Sequence, residues 1–241
     1  MRTLFALNPL LDVPAIAHAL KTHGRVQVRQ FLHPEAADSI HDVLSRGTDW
    51  GLAWAAEGKT GAHVRGAELR AMAPEDRARF GTEAADAARK GEFAFLYAQY
   101  PMVKAYLEKW NPGHPLDLLL EHLNTPAMLD FARAASGIPE IRSADAQATL
   151  YAPGHFLTLH NDEVEGEGRR IAFIISLARD WLPDWGGHLN FVADDGDTVE
   201  GFVPRFNALN LFTVPNRHNV GTVAPFAPIG RFSITGWFRD K

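Results

Sequence analysis

Arg231-Phe232-Ser233-Ile234-Thr235-Gly236-Trp237-Phe238 is the stretch on whose reading the fold turns. Side chains of a β-strand alternate between faces, which puts Phe232, Ile234 and Phe238 on one side and Arg231, Ser233, Thr235 and Trp237 on the other. The first side is a core face. The second is a mostly polar strip headed by an arginine. Working back, the same period of two persists to about Ile141 and predicts strands over 146–151, 156–162, 170–177, 188–192, 208–214, 218–223 and 231–238. Turn residues part them: Pro153-Gly154, Gly166 with Gly168, Gly186-Gly187, Asp194-Asp195-Gly196, Pro215-Asn216, and Pro228 with Gly230. Strands this short at this spacing make a sandwich or a barrel.

Upstream the texture changes. From about Val13 to Gly137 the pattern is mostly helical. Pro34 opens a helix that runs through Ile40, Val43 and Leu44 to a stop at Gly47. Thr125 before Pro126 makes an N-cap and first turn; Leu129, Phe131, Ala132 and Ala135 are that helix's apolar positions, and Gly137 ends it. Further helical stretches cover 76–90, 103–110 and 116–123, and one early strand, 25–31, alternates around Val26 and Val28. Helices first and strands afterwards, with no linker between, predict an α+β fold. The expectation is a single domain over 1–241, in which 1–140 form helical support packed on a β-barrel core at 141–241.

The chemistry is concentrated in Leu159-His160-Asn161-Asp162. In a strand, His160 and Asp162 would aim at the same face. Two such donors bind a first-row divalent metal without saturating it, and His218, just after the Pro215-Asn216 turn, is the candidate third ligand. Two histidines and a carboxylate on one face of an octahedron leave three positions open, which suits non-haem iron that must bind a co-substrate and oxygen. The competing reading makes His160 and Asp162 a surface pair and His218 an unrelated loop histidine. The last strand weighs against it, because an arginine facing into a barrel needs a partner for its charge. A carboxylate of the protein, Asp162 or Glu163, is one candidate. A dicarboxylate ligand is the other, gripped by the guanidinium through two hydrogen bonds with Ser233 adding a third.

The order Tyr151, His160-x-Asp162, Gly186-Gly187-x-Leu189, His218, Arg231-x-Ser233 and Gly236-Trp237-Phe238 resembles the 2-oxoglutarate/Fe(II)-dependent oxygenase superfamily. With Arg169-Arg170-Ile-Ala-Phe-Ile-Ile-Ser-Leu177 and Trp181-x-x-Asp184-Trp185-Gly-Gly187, the likeness narrows to the prolyl-hydroxylase-like branch. Within that branch it is similar to the catalytic domain of ribosomal-protein prolyl hydroxylases. The likeness covers about 146–239, and the helical half carries no motif. It implies a double-stranded β-helix, or jelly-roll, barrel with Fe(II) at His160, Asp162 and His218. It also implies the distal carboxylate of 2-oxoglutarate at Arg231, Tyr151 as a hydrogen-bond donor to that co-substrate, O2 as oxidant and ascorbate as a candidate reductant. The implied activity is hydroxylation of a prolyl or similar residue in a protein or peptide, or alternatively of a free amino acid or other small molecule. The ribosomal enzymes carry a second barrel with no counterpart in this sequence, so any docking that depends on it does not carry over. From a different class comes a non-catalytic, cupin-like binding barrel, in which Arg231 and Ser233 beside a complete triad have no task.

Composition narrows the chemistry further. The chain of 241 residues has no cysteine, which removes disulfide scaffolds, thiolate zinc sites, iron–sulfur clusters and cysteine nucleophiles. A metal must be held by nitrogen and oxygen, and there are 11 histidines to supply the nitrogen. The net charge is −5, and the bases Arg65, Arg70, Arg77, Arg79, Arg89 and Lys90 are interleaved with Glu68, Glu75, Asp76, Glu83 and Asp86. That is a solvated helix face, so nucleic acid is not an expected partner. Pro9, Asp12 and Pro14 interrupt the apolar N-terminus, and no apolar run approaches a membrane span, so the cytoplasm is the expected compartment. His155 is expected to face away from the ligands, His188 to stay out of the ligand set, and Asn190 and Asn210 to be core amides. Phe93, Phe95, Tyr97, Tyr100, Trp181 and Trp185 read as core before substrate cleft. Residues 163–168 read either as a mobile loop able to close over substrate or as a solvated hairpin loop.

Overall fold

A computed structural model of the chain describes residues 4–56 and 59–241. Helix α1 (Val13–His23) starts at Asp12, whose carboxylate accepts the Ala15 N–H at 3.0 Å. Helix α2 (Pro34–Asp42) begins on its proline and passes into one wider turn over Val43–Gly47. Then come α3 (Gly66–Ala71), α4 (Pro74–Arg89), α5 (Met102–Leu107), α6 (Pro115–Leu123) and α7 (Pro126–Ser136). The expected helices are all present. One detail differs: the Thr125 hydroxyl donates to the His122 carbonyl at 2.8 Å and does not cap α7. The Pro126 start still holds, because a proline at the first position leaves no donor to satisfy.

The same region holds four strands where one was expected: β1 (Arg25–Arg29), β2 (Gly51–Ala56), β3 (Lys59–Val64) and β4 (Phe95–Tyr100). Strands β2 and β4 are runs of alanine and aromatic residues that pack on both faces, so no alternation marks them. The second half supplies β5 (Ser143–Tyr151), β6 (Phe156–His160), β7 (Arg169–Leu177), β8 (Leu189–Val192), β9 (Thr198–Phe202), β10 (Phe206–Thr213), β11 (His218–Val220) and β12 (Arg231–Arg239). All seven expected strands form, and β9 is an addition.

Ten strands pair in the order β1-β10-β7-β12-β5-β4-β6-β11-β8-β9, every pair antiparallel, with β2 and β3 attached beside β4. The two ends of that path meet through side chains. Arg25 on β1 pairs with Glu200 on β9 at 2.5 Å, and Gln27 donates to the Val203 carbonyl at 3.2 Å. The result is a nearly closed jelly-roll barrel. Ile171, Ile175 and Ile234 turn outward and join Leu20, Ile40, Leu120 and Phe131 of the helical half in one core. Ala172 and Ile174 turn inward to a cavity. Gly236 lets β12 lie close to β5, since a Cβ there would sit 1.9 Å from the Asp145 carbonyl oxygen. Among the described residues no helix is long and apolar enough to cross a membrane.

Candidate metal and co-substrate site

Strand β6 ends at His160, and Asp162 lies beyond it with a φ of 64°. The expected strand to 162 is therefore too long, and alternation is not what places the carboxylate. A local turn does so. Asn161 Oδ1 accepts the Glu163 N–H at 3.1 Å, and the left-handed Asp162 folds its carboxylate back beside His160. His218 arrives by register instead, directly opposite His160 across the β6–β11 pair. Asp162 Oδ1 lies 3.1 Å from His160 Nε2 and Oδ2 lies 3.4 Å from His218 Nε2. One donor atom from each of the three lies within 4.8 Å of the others, a spacing that a single cation can bridge.

The tautomers are set by the backbone. His160 Nδ1 meets the Thr158 carbonyl at 2.9 Å, and His218 Nδ1 meets the Asn216 carbonyl at 2.7 Å. A carbonyl can only accept, so each Nδ1 carries the proton and each Nε2 presents its lone pair. Burial, and then the neighbouring His160, depress His218 to about 4, which makes it a neutral donor at neutral pH. Burial pushes the Asp162 carboxyl up, but the close His160 and His218 rings outweigh it and hold the group below its ordinary value. His218 thus offers a neutral nitrogen and Asp162 an ionised oxygen.

Arg231 heads β12, is 2% exposed and stands opposite Tyr151 at the end of β5. Among the described residues no carboxylate pairs with it, neither Asp162 nor Glu163. Its Nε and Nη1 are buried without a hydrogen-bond partner. Burial lowers its pKa, and the Tyr151 ring, 5.3 Å from the guanidinium carbon, only partly offsets this. Burial also raises Tyr151 well above the ordinary phenol value, so its hydroxyl stays a proton donor. Ser233 Oγ is 2.7 Å from Thr149 Oγ1. Arg231, Ser233, Thr235 and Trp237 all line one cavity of about 710 Å³, as their alternation predicts, and His160, Asp162, His218 and Tyr151 line it with them. The Gly186-Gly187 turn packs beside Arg231: a Cβ on Gly187 would lie 3.7 Å from the Arg231 Cδ.

The aromatic residues divide. Phe93, Phe95 and Tyr97 line the cavity, Phe93 lying 5.6 Å from the His160 ring, whereas Tyr100 stacks on His114 in the helical core. Trp181 donates to the Gly186 carbonyl at 3.0 Å and meets Trp185 edge-on, so both are packing residues. Asn190 and Asn210 are hydrogen-bonded amides, to Asn219 and Gln27. His155 accepts the Ala152 N–H in a turn, and neither it nor His188 reaches the cavity. Among the polar cavity residues, Gln147, Thr149 and Arg169 were given no role from the sequence, although Arg169 stands in one of the strings that carry the family likeness. The first two alternate with Tyr151 on β5, so the argument that singled out the polar face of β12 would have found them. Burial pushes Tyr97 up to about 12, against its hydrogen bond with Gln147.

Residues 146–239 match the family model of the 2OG-Fe(II) oxygenase superfamily. A Xenopus laevis protein named prolyl 3-hydroxylase OGFOD1 is 34% identical over 119 residues, 45% of this chain and 23% of that protein. The chain thus spans less than a quarter of the length of the curated relatives it matches. A Pseudomonas putida prolyl-4-hydroxylase structure is similar at 23% identity and a TM-score of 0.55, covering 95% of this chain and 99% of that one. A Trichoplax adhaerens prolyl hydroxylase, solved with a hypoxia inducible factor peptide fragment, is similar at 16% identity and a TM-score of 0.62, covering 95% and 89%. At these identities the two structures speak for the fold, the barrel described above. The stretch that matches the 2OG-Fe(II) oxygenase superfamily, residues 146–239, is the one that carries Tyr151, His160, Asp162, His218, Arg231 and Ser233.

Proposed function

We propose that the chain is an Fe(II)- and 2-oxoglutarate-dependent dioxygenase that hydroxylates a prolyl or similar residue of a protein or peptide. The observation that carries this reading is Arg231, a buried guanidinium with no carboxylate among the described residues to balance it, opening on the same cavity as a His–Asp–His donor set. That donor set fits Fe(II), and the orphan guanidinium fits a dicarboxylate. A non-catalytic binding barrel leaves the charge unexplained. When bound, Fe(II) with 2-oxoglutarate and O2 supplies the oxidising power for hydroxylation, with succinate and carbon dioxide as co-products.

The residues of the chain divide the remaining work. His160, Asp162 and His218 hold the metal from one side. Arg231 grips the distal carboxylate of the co-substrate, with Tyr151 and Ser233 as hydroxyl donors beside it. Phe93, Phe95 and Tyr97 wall the cavity and keep water from it. A second groove, of about 480 Å³, shares Gln147 and Trp237 with the cavity and continues past Val103 and Leu107 of α5. Such a groove gives room for chain on one side of a target residue, which supports a polypeptide substrate over a free amino acid. Similarity to a protein named a prolyl 3-hydroxylase supports the same choice.

The test is an anaerobic titration of metal-free protein with Fe(II) and then 2-oxoglutarate, read by visible charge-transfer absorption. A band should need both additions, vanish in His160→Ala and require far more 2-oxoglutarate in Arg231→Ala. No band in folded, metal-loaded wild-type protein would overturn the oxygenase reading.

A further inference from the structure

The segment after the metal-ligating pair was expected to be a mobile loop or a solvated hairpin loop, and residues 163–166 are exposed to solvent. The two ends of the segment are held by a closed ring of contacts around Trp237. Arg169 donates from Nη1 to the Asp162 carbonyl at 3.2 Å, and its guanidinium lies over the Trp237 ring at 3.8 Å. The same guanidinium pairs with Glu167 at 2.7 Å, and Glu167 also pairs with Arg239 at 3.1 Å. Arg239 pairs with Asp145, and Asp145 accepts the backbone N–H of Trp237 at 2.8 Å, which closes the ring. Arg169 is mostly buried in this arrangement and lines the cavity.

Asp162 is a non-glycine residue in left-handed backbone, a conformation open to aspartate but less favourable than its extended or helical alternatives without supporting contacts. The Asn161 turn supplies one constraint, and the Arg169 grip on the Asp162 carbonyl supplies the other. We infer that Arg169 is a positioning residue for the metal-binding carboxylate: it holds Asp162 in its turn and braces Trp237 against the cavity wall. This rests on the reading of His160, Asp162 and His218 as the metal ligands. Arg169 touches neither metal nor substrate in this role and acts through Asp162. The neighbouring Arg170 points elsewhere and pairs with Asp240 at 3.0 Å.

The experiment titrates metal-free protein with Co(II) and reads affinity and d–d absorption, which reports the geometry of the donors without needing any substrate. Wild type is compared with Arg169→Ala, Arg169→Lys and Arg170→Ala, each checked by thermal denaturation. Loss of a group that orients a ligand weakens metal binding by about 10–100-fold. Arg169→Ala should show that loss with an altered band, Arg169→Lys a smaller one, and Arg170→Ala neither. Lysine lacks the planar fork that lets arginine stack and bond at once, so Arg169→Lys decides the matter if Arg169→Ala does not fold. Arg169 variants with wild-type Co(II) affinity and spectrum, even at a lower melting temperature, would overturn the inference and leave Arg169 a fastener of the hairpin. Wild-type protein that binds no Co(II) would sink the ligand assignment itself, a separate result.

Discussion

An arginine that is 2% exposed and faces no carboxylate among the described residues is a cost to the protein without co-substrate. Desolvating a charge without a partner is unfavourable, and apolar replacement of buried ionic groups can stabilise by about 1–4 kcal/mol. Arg231→Met should therefore raise the unfolding free energy of the protein without co-substrate, by an amount of this order, in urea denaturation. The sign reverses for binding. Removing one member of a charge-assisted pair in a desolvated site costs on the order of 2–5 kcal/mol, so Arg231→Ala should weaken 2-oxoglutarate by at least tenfold in the anaerobic titration. A variant that is more stable and binds equally well would remove the anchor role. At this scale the sequence was legible for residue type: Arg231, His160, Asp162 and His218, all singled out in it, line one cavity. It was not legible for backbone conformation. Asp162 reaches His160 through a left-handed turn, whereas the sequence reading placed it by strand alternation.

The elements differ in how plainly they announce themselves. Strand β12 alternates cleanly because one face meets the helical core and the other the cavity. Strands β2 and β4 do not alternate, because small and aromatic residues pack on both faces. Strand β9 is mostly exposed and carries Glu200 and Gly201, residues that signal a loop. Close contact between β12 and β5 depends on Gly236, whose added Cβ would overlap the Asp145 carbonyl. Gly236→Ala should consequently cost about 1–3 kcal/mol of stability in a denaturant melt, the range for overpacking in a rigid interior. Since Trp237 and Asp145 belong to the ring around Arg169, the same variant should also weaken metal binding. An alanine variant of wild-type stability would show that the two strands can separate without loss.

At the scale of the whole molecule, the site is assembled from β5, β6, β11 and β12 and from the turn after β6. Ligands that bridge these elements bind the folded state only, and a ligand at 100 times its dissociation constant stabilises by about 2.7 kcal/mol. Fe(II) with 2-oxoglutarate, added anaerobically, should raise the melting temperature of wild type. His160→Ala should show no rise with metal. Arg231→Ala should show the rise from metal alone and little further increase with 2-oxoglutarate at the same concentration. Equal rises in all three proteins would place the binding elsewhere.

The sequence by itself determined the barrel half, the run of helices before it, the residue types of the four side chains that meet in the cavity and, through the lack of cysteine, the absence of thiolate ligands. Each of these is local: a period of two, a proline or glycine at a boundary, or a residue type that admits one kind of donor. Only the tertiary structure decided that His218 lies across from His160, that Asp162 is turned and held by Arg169, and that Arg231 meets no carboxylate among the described residues. It alone brought Phe93, Phe95 and Tyr97 into the cavity while sending Tyr100, Trp181 and Trp185 to the core. Register, charge pairing and cavity walls are relations between residues far apart in the chain, and no local pattern records which distant strand a residue will face.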